Sequence, residues 1–129
     1  MSEDKRIRVL IADDSAPVRE RLATLLSDLD NVEVVGTSAD ALEAVVDIQT
    51  LQPDVVILDI QMPSGSGINV LRWAQGEMIK PKFIMLTNYA YAQYRKTCLE
   101  AGASYFFDKS SEFEKIPNAL EQLSSGAPG

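Results

Sequence analysis

The chain has no histidine and a single cysteine among its 129 residues. Without histidine, the usual base for activating a serine or cysteine nucleophile is missing, and so are the common imidazole metal sites. Cys98 cannot form an internal disulfide, which suits a reducing compartment, and it reads as a small core or half-buried residue rather than a reactive thiol. No apolar run approaches the ~20 residues needed to span a bilayer, so no membrane insertion is expected. The opening MSEDKRIRVL carries charges where a signal peptide needs an apolar core, and a cytoplasmic location is expected. Positive charge is also scarce: 12 basic residues against 19 acidic ones leave a net charge of −7. That balance opposes direct nucleic-acid binding and attraction to anionic lipid, and favours a cation or a basic protein surface as partner. Phosphate-cradling loops are absent too. There is no P-loop ending in Lys-Ser/Thr, and Gly65-Ser66-Gly67 lacks the third glycine of a dinucleotide fingerprint because Val70 stands there. Carboxylates, hydroxyls and lysine are left to carry any chemistry.

The length fits one domain, 1–129, with a core over about 7–124 and a frayed tail at 125–129. Residues 7–12, Ile-Arg-Val-Leu-Ile-Ala, read as a first strand. Ser15 is placed to cap a helix, Pro17 suits its first turn, and Val18, Leu22, Leu25, Leu26 and Leu29 recur at helical spacing. Val32–Gly36 is a second strand, and Leu42, Val45 and Val46 mark a helix stopped by Gln52-Pro53. The run Val55-Val56-Ile57-Leu58 reads as a strand buried on both faces, with Asp59 at its end; Pro63, Gly65 and Gly67 forbid its continuation. Ile68, Leu71, Ala74 and Met78 give a third helix its inner face, and residues 82–87 form strand four. A fourth helix spans roughly Tyr91 to Ala101 with only a modest apolar stripe, and Gly102 ends it. Strand five covers Ser104–Asp108, and Ile116, Ala119, Leu120 and Leu123 line the last helix.

Five strands alternating with five helices predict an α/β fold, a doubly wound parallel sheet covered on both faces. In such sheets ligands collect beyond the carboxyl ends of the strands. That edge receives Asp13 and Asp14 from strand one, Asp59 from strand three, Thr87 from strand four and Lys109 just past strand five. Three carboxylates in one place either raise a pKa or recruit a hard cation, and Mg²⁺ fits a site without histidine or cysteine. Lys109 then supplies a point charge, and Thr87 a hydroxyl, to a phosphoryl group carried by Asp59 as covalent nucleophile. Taken singly, each residue has a plainer role: Asp14 favours a helix N-terminus, Asp59 a turn, Thr87 a strand end and Lys109 a solvated loop. An aspartyl-phosphate phosphatase of another family would usually repeat an acid two residues past the nucleophile, where this chain has Gln61.

With these residues in view, the chain resembles the receiver domain of two-component response regulators over about residues 7–124, and in particular the stand-alone chemotaxis regulators. The resemblance rests on Asp13-Asp14, on Asp59-x-x-Met62-Pro63-x-x-x-Gly67, on Thr87, and on Gly102-Ala103 followed by Phe106 and Lys109. It implies strand order 2-1-3-4-5, the flavodoxin-like arrangement. It also implies Asp59 as phosphoacceptor, Mg²⁺ held by Asp14, Asp59 and the Gln61 backbone carbonyl with Asp13 acting through water, and Thr87 and Lys109 on the phosphoryl oxygens. Phe106 becomes the aromatic that, with Thr87, switches on phosphorylation. Four positions depart from the pattern or vary within it: Ser110 stands where receivers usually carry proline after the lysine, Asn88 replaces a small residue, and Gln61 and Tyr89 fill variable sites that influence phosphoryl loss.

By this resemblance the chain is a phosphoacceptor switch rather than an enzyme. Its donor is a histidine kinase or phosphotransfer protein, its effector an unidentified protein, and a homodimer formed on phosphorylation is a further partner. Tyr89, Tyr91, Tyr94 and Tyr105 all fall between strands four and five and are candidates for the interface. A stand-alone receiver is expected. Its rivals are a receiver-like interaction module that works without phosphorylation and the receiver portion of a longer transcriptional regulator.

Overall fold

The computed structural model describes residues 6–124, so the tail expected at 125–129 lies outside the described residues. Five strands form one parallel sheet: β1 (Ile7–Ala12), β2 (Val32–Ser38), β3 (Val55–Leu58), β4 (Lys82–Thr87) and β5 (Tyr105–Asp108), in the order β2-β1-β3-β4-β5. Between and after them run α1 (Ala16–Ser27), α2 (Ala41–Leu51), α3 (Gly67–Gln75), α4 (Ala92–Glu100) and α5 (Ile116–Ser124). This is the flavodoxin-like order, in which β1 and β3 pair and the chain leaves them in opposite directions across the sheet.

The strands are apolar on both faces because helices cover both. Leu10, Val56, Leu58, Phe83, Met85 and Phe106 point to one side, where α2, α3 and α4 supply Ala44, Ile48, Leu71, Ala74 and Cys98. Val9, Ile11, Val55, Ile57, Ile84, Leu86 and Phe107 point to the other, against Leu22 and Leu26 of α1 and Ile116 and Leu120 of α5. Each such side chain, taken from water, contributes about 1.5–3 kcal/mol, which fixes the register at Val9↔Val55, Ile57↔Ile84 and Leu86↔Phe107. A one-residue slip would exchange the two cores.

Some expectations shift. Strand two runs on to Ser38, strand five starts at Tyr105, and the fourth helix starts at Ala92 with Tyr91 as its cap. Met78 is 99% exposed, because α3 already stops at Gln75 and Gly76. On α2, Leu42 and Val46 face outward, 66% and 50% exposed, and the helix is buried through Ala41, Ala44 and Ile48 instead. The close packing of α2 on the sheet selects small residues, which a search for large apolar side chains overlooks. A further helical turn, Phe113–Lys115, precedes α5 and had no clear sequence signal.

The segment from Asp59 to α3 is built tightly. Gln61–Met62 and Gly65–Ser66 pair as a minimal antiparallel ribbon, closed through Ser64 at φ 69° and Gly65 at φ 134°. Gly67 then donates its N–H to the Ile60 carbonyl at 2.7 Å, so near the sheet that a Cβ there would collide with the Asp59 carbonyl oxygen. Glycine is required at 67 for close approach rather than for an unusual backbone angle.

Candidate functional site

The backbone ladder continues one residue past three strand ends. Asp13 N–H donates to Ser38 O at 3.0 Å, Asp59 N–H to Ala12 O at 3.0 Å, and Lys109 N–H to Thr87 O at 2.9 Å. The side chains of Asp13, Asp59 and Lys109 thereby emerge at fixed heights over the carboxyl edge. Asp13, Asp14 and Asp59 each offer a carboxylate oxygen, and these oxygens lie within 4.8 Å of one another. Among the described residues no other such group of acids, histidines or cysteines gathers.

Lys109 bridges two of the acids. Its Nζ lies 2.6 Å from Asp13 Oδ2 and 2.8 Å from Asp59 Oδ2, and all three side chains are at most 8% exposed. The remaining carboxylate oxygens are also held: Asp13 Oδ1 accepts from Ser15 N–H at 2.8 Å, and Asp59 Oδ1 from Ile60 N–H at 2.7 Å. Burial pushes the Asp13 carboxyl above its usual range, and the hydrogen bonds from Lys109 and Ser15 offset this only in part. For Lys109, burial works against the charge, but hydrogen bonds to Asp13 and Asp59 outweigh it and hold the amine above its usual range. The lysine is thus cationic throughout the neutral range. Asp14, by contrast, is exposed.

An open cleft of about 470 Å³ lies over this edge, lined among others by Asp14, Asp59, Gln61, Asn88, Tyr89 and Lys109. Asp13 and Thr87 do not line it. Thr87 is fully buried at the end of β4, and its hydroxyl oxygen accepts the Tyr89 N–H at 3.0 Å. Phe106 is buried in the core under α4, where Arg95 donates to its carbonyl at 3.2 Å and stands 5.8 Å from its ring. The tyrosines divide. Tyr89, Tyr91 and Tyr94 make a run of tilted rings with centroids 6.4 and 5.9 Å apart, whereas Tyr105 stacks on Phe107 at 5.6 Å and packs into the opposite core. The peptide bond after Lys109 is trans, as are all others among the described residues.

Sequence reasoning missed Arg19. From the first turns of α1 it reaches back and donates to the Asp13 carbonyl at 2.6 Å. A signal existed: a cation near a helix N-terminus opposes the helix dipole and must be held by something else.

Parallel strands in this order, with three acids and a lysine on the carboxyl edge, define a flavodoxin-like receiver fold. The chain belongs to the response regulator receiver domain family, whose sequence profile matches residues 9–121. An uncharacterized response regulatory protein of Vibrio cholerae is 36% identical over 117 residues, which cover 91% of this chain and 48% of that protein. The response regulator domain of Thermotoga maritima CheB superposes with a TM-score of 0.82 at 32% identity, covering 94% of this chain and 96% of that one. CheY of Borrelia burgdorferi, solved in a complex with CheX, BeF₃ and Mg²⁺, gives 0.78 at 27% identity over 90% of each chain. The chain spans about half the length of the curated relatives it matches. Receiver domains of two-component response regulators are phosphorylation-dependent switches as a class.

Proposed function

We infer that this chain is switched by phosphorylation of Asp59, with a histidine kinase or phosphotransfer protein as donor. The observation that supports it most is Lys109, whose ammonium is already bound to the Asp59 carboxylate beside two further acids. In the transfer an Asp59 oxygen attacks phosphorus. The new P–O bond forms as the donor's P–N bond breaks, and the departing imidazole keeps the electron pair. Lys109 stabilises the added charge on the phosphoryl oxygens, and the Thr87 hydroxyl, at the adjoining strand end, supplies a further hydrogen bond.

The donor set fits Mg²⁺: three hard carboxylate oxygens within 4.8 Å and no soft ligand beside them. Asp14, Asp59 and the Gln61 carbonyl would hold it, with Asp13 acting through water. Bound there, the cation would offset the charge of the acids and of the incoming phosphoryl group. In this reading the protein is a phosphoacceptor that assists its own transfer and loss. It acts in the cytoplasm through Thr87, Phe106 and the face carrying Tyr89, Tyr91 and Tyr94, on a protein effector or on a second copy of itself.

The experiment is incubation with acetyl phosphate and Mg²⁺, read by intact mass beside Asp59→Asn. The native chain should gain one phosphoryl group and the variant none; an unmodified native chain would sink the reading and leave an interaction module. Paired substitution of Tyr91 and Tyr94 should alter partner capture in one phosphorylation state only. The length of the relatives favours a second arrangement, in which these residues are the receiver portion of a longer regulator. The size of the product in cells, by immunoblot, separates this from a stand-alone receiver.

A further inference from the structure

We propose that Asp108 and Glu112 are positioning residues: they brace the turn after β5 so that Lys109 is aimed at Asp59. The proposal rests on the reading above, in which Lys109 meets the phosphoryl group. Lysine is a flexible point donor that loses about 2 kcal/mol of rotamer freedom when fixed. Its ammonium can reach Asp13 and Asp59 together only if its Cα is held. On the amino side that is done by the β4–β5 ladder and by the Lys109 N–H bonded to Thr87 O. On the carboxyl side the chain leaves the sheet at once, and no proline stiffens residues 109–116.

Asp108 takes over that task with one carboxylate oxygen, its N–H and its carbonyl. Its Oδ1 accepts from the Ser110 N–H at 2.8 Å and from the Ser110 hydroxyl at 2.7 Å, closing the turn around Lys109. Its own N–H donates to Glu112 Oε1 at 2.9 Å, and its carbonyl accepts the Glu112 N–H at 2.8 Å and the Ser111 N–H at 3.3 Å. Glu112 is thus tied to Asp108 twice, by backbone and by side chain, while its second oxygen takes Lys115 Nζ at 2.9 Å. Both acids are held below the usual carboxylate range, Asp108 chiefly by Ser110 and Glu112 chiefly by Lys115, so the brace is charged at neutral pH. Neither side chain reaches the carboxylate cluster. They act on the site only through the backbone that carries Lys109.

The test uses the full chain and compares Asp108→Ala, Glu112→Ala and Asp108→Asn with the native protein. Three quantities are read: the rate of phosphorylation by acetyl phosphate and Mg²⁺, Mg²⁺ affinity by calorimetry, and the NMR signal of the Lys109 ammonium. Misplacing a catalytic group by about 1 Å costs up to ~100-fold. The two alanine variants should therefore phosphorylate about 10- to 100-fold more slowly, with Mg²⁺ affinity kept and the ammonium signal shifted or exchange-broadened. Asp108→Asn, which retains Oδ1, should stay within about threefold of native on the same scale. If Asp108→Ala does not fold, Glu112→Ala carries the test. Native rates and an unchanged Lys109 signal in the alanine variants overturn the proposal, as does a loss of rate that the unfolded fraction accounts for. A native chain that takes up no phosphoryl group overturns the phosphoacceptor reading instead, and the Lys109 signal then decides the brace alone.

Discussion

Of the first four helices, α1, α2 and α3 are tied at their first turn by a side chain, and α4 is not. Ser15 accepts from Val18 N–H at 3.3 Å, Asp40 from Glu43 N–H at 2.8 Å and Ser66 from Ile68 N–H at 3.0 Å, whereas Tyr91 offers α4 no such bond. The helices differ in anchorage as well. α1, α2 and α3 each bury two or more residues, while α4 buries only Cys98. Yet the far end of α4 is closed firmly, with Ala103 N–H on Cys98 O, Gly102 N–H on Leu99 O and Gly102 in the left-handed region at φ 115°. α4 is therefore pinned at the end remote from the site and loose at the end that follows Thr87, Asn88 and Tyr89. The site around Asp59 is preorganised, and the adjoining helix is the element expected to open locally at the least cost.

The largest effect should come from disturbing the tight half. Gly67→Ala would drive a Cβ into the Asp59 carbonyl oxygen, a backbone atom that no side-chain rotation can move aside. A loss of about 3 kcal/mol or more, at the upper end for overpacking, is expected, seen as a fall in the urea midpoint. An unchanged midpoint would mean that the Asp59–Gly67 segment is softer than its geometry implies. Lys109→Met comes next. It leaves Asp13 and Asp59 buried without their cation, at a cost of about 3 kcal/mol at pH 7. The pH dependence carries a definite sign. The Lys109 amine titrates higher folded than unfolded, so its contribution is complete below about pH 10.5 and is lost as pH rises through the folded value. The native urea midpoint should fall more steeply than that of the variant above pH 10.5. Parallel curves would show that the ion pairs contribute nothing to stability.

What the sequence made legible follows the same division. The buried strands were plain because an apolar run of strand length, closed by an acid and a turn, has few other meanings; Val55–Leu58 is the clearest case. Asp13, Asp14, Asp59 and Lys109 were found because topology alone carries strand ends to one edge, and the structure brings all four together. Thr87 was placed at the right edge, but its burial behind the cleft and its bond to Tyr89 N–H depend on a turn with no sequence signature. Asp108 and Glu112 escaped because each acts through a backbone N–H, and composition and spacing register side-chain identity only; Arg19, which holds the Asp13 carbonyl, was marked only by its place near the start of α1. The tyrosines looked like one group in the chain and became two, since alternation along β5 sends Tyr105 to the face opposite Tyr94.

The smallest effect probes the loose half most directly. Tyr91 has extended backbone angles, φ −81° and ψ 148°, which suit an N-cap, so aspartate there can accept the N–H that tyrosine leaves unmet. Tyr91→Asp should stabilise the start of α4 by about 0.5–1 kcal/mol. Cys98 supplies the gauge. It is fully buried and its thiol is pushed up to about 11 by burial, so a thiol reagent at pH 8 can modify it only when α4 opens. Tightening the cap by that amount should slow labelling about two- to fivefold, since each 1.4 kcal/mol is a factor of ten in the open population. Asp40→Ala, which removes the α2 cap, should leave Cys98 labelling unchanged while lowering global stability by about 1 kcal/mol. If Tyr91→Asp labels at the native rate, Cys98 is reached by global unfolding. α4 would then be no looser than its neighbours, and the contrast between the two halves would have to rest on packing alone.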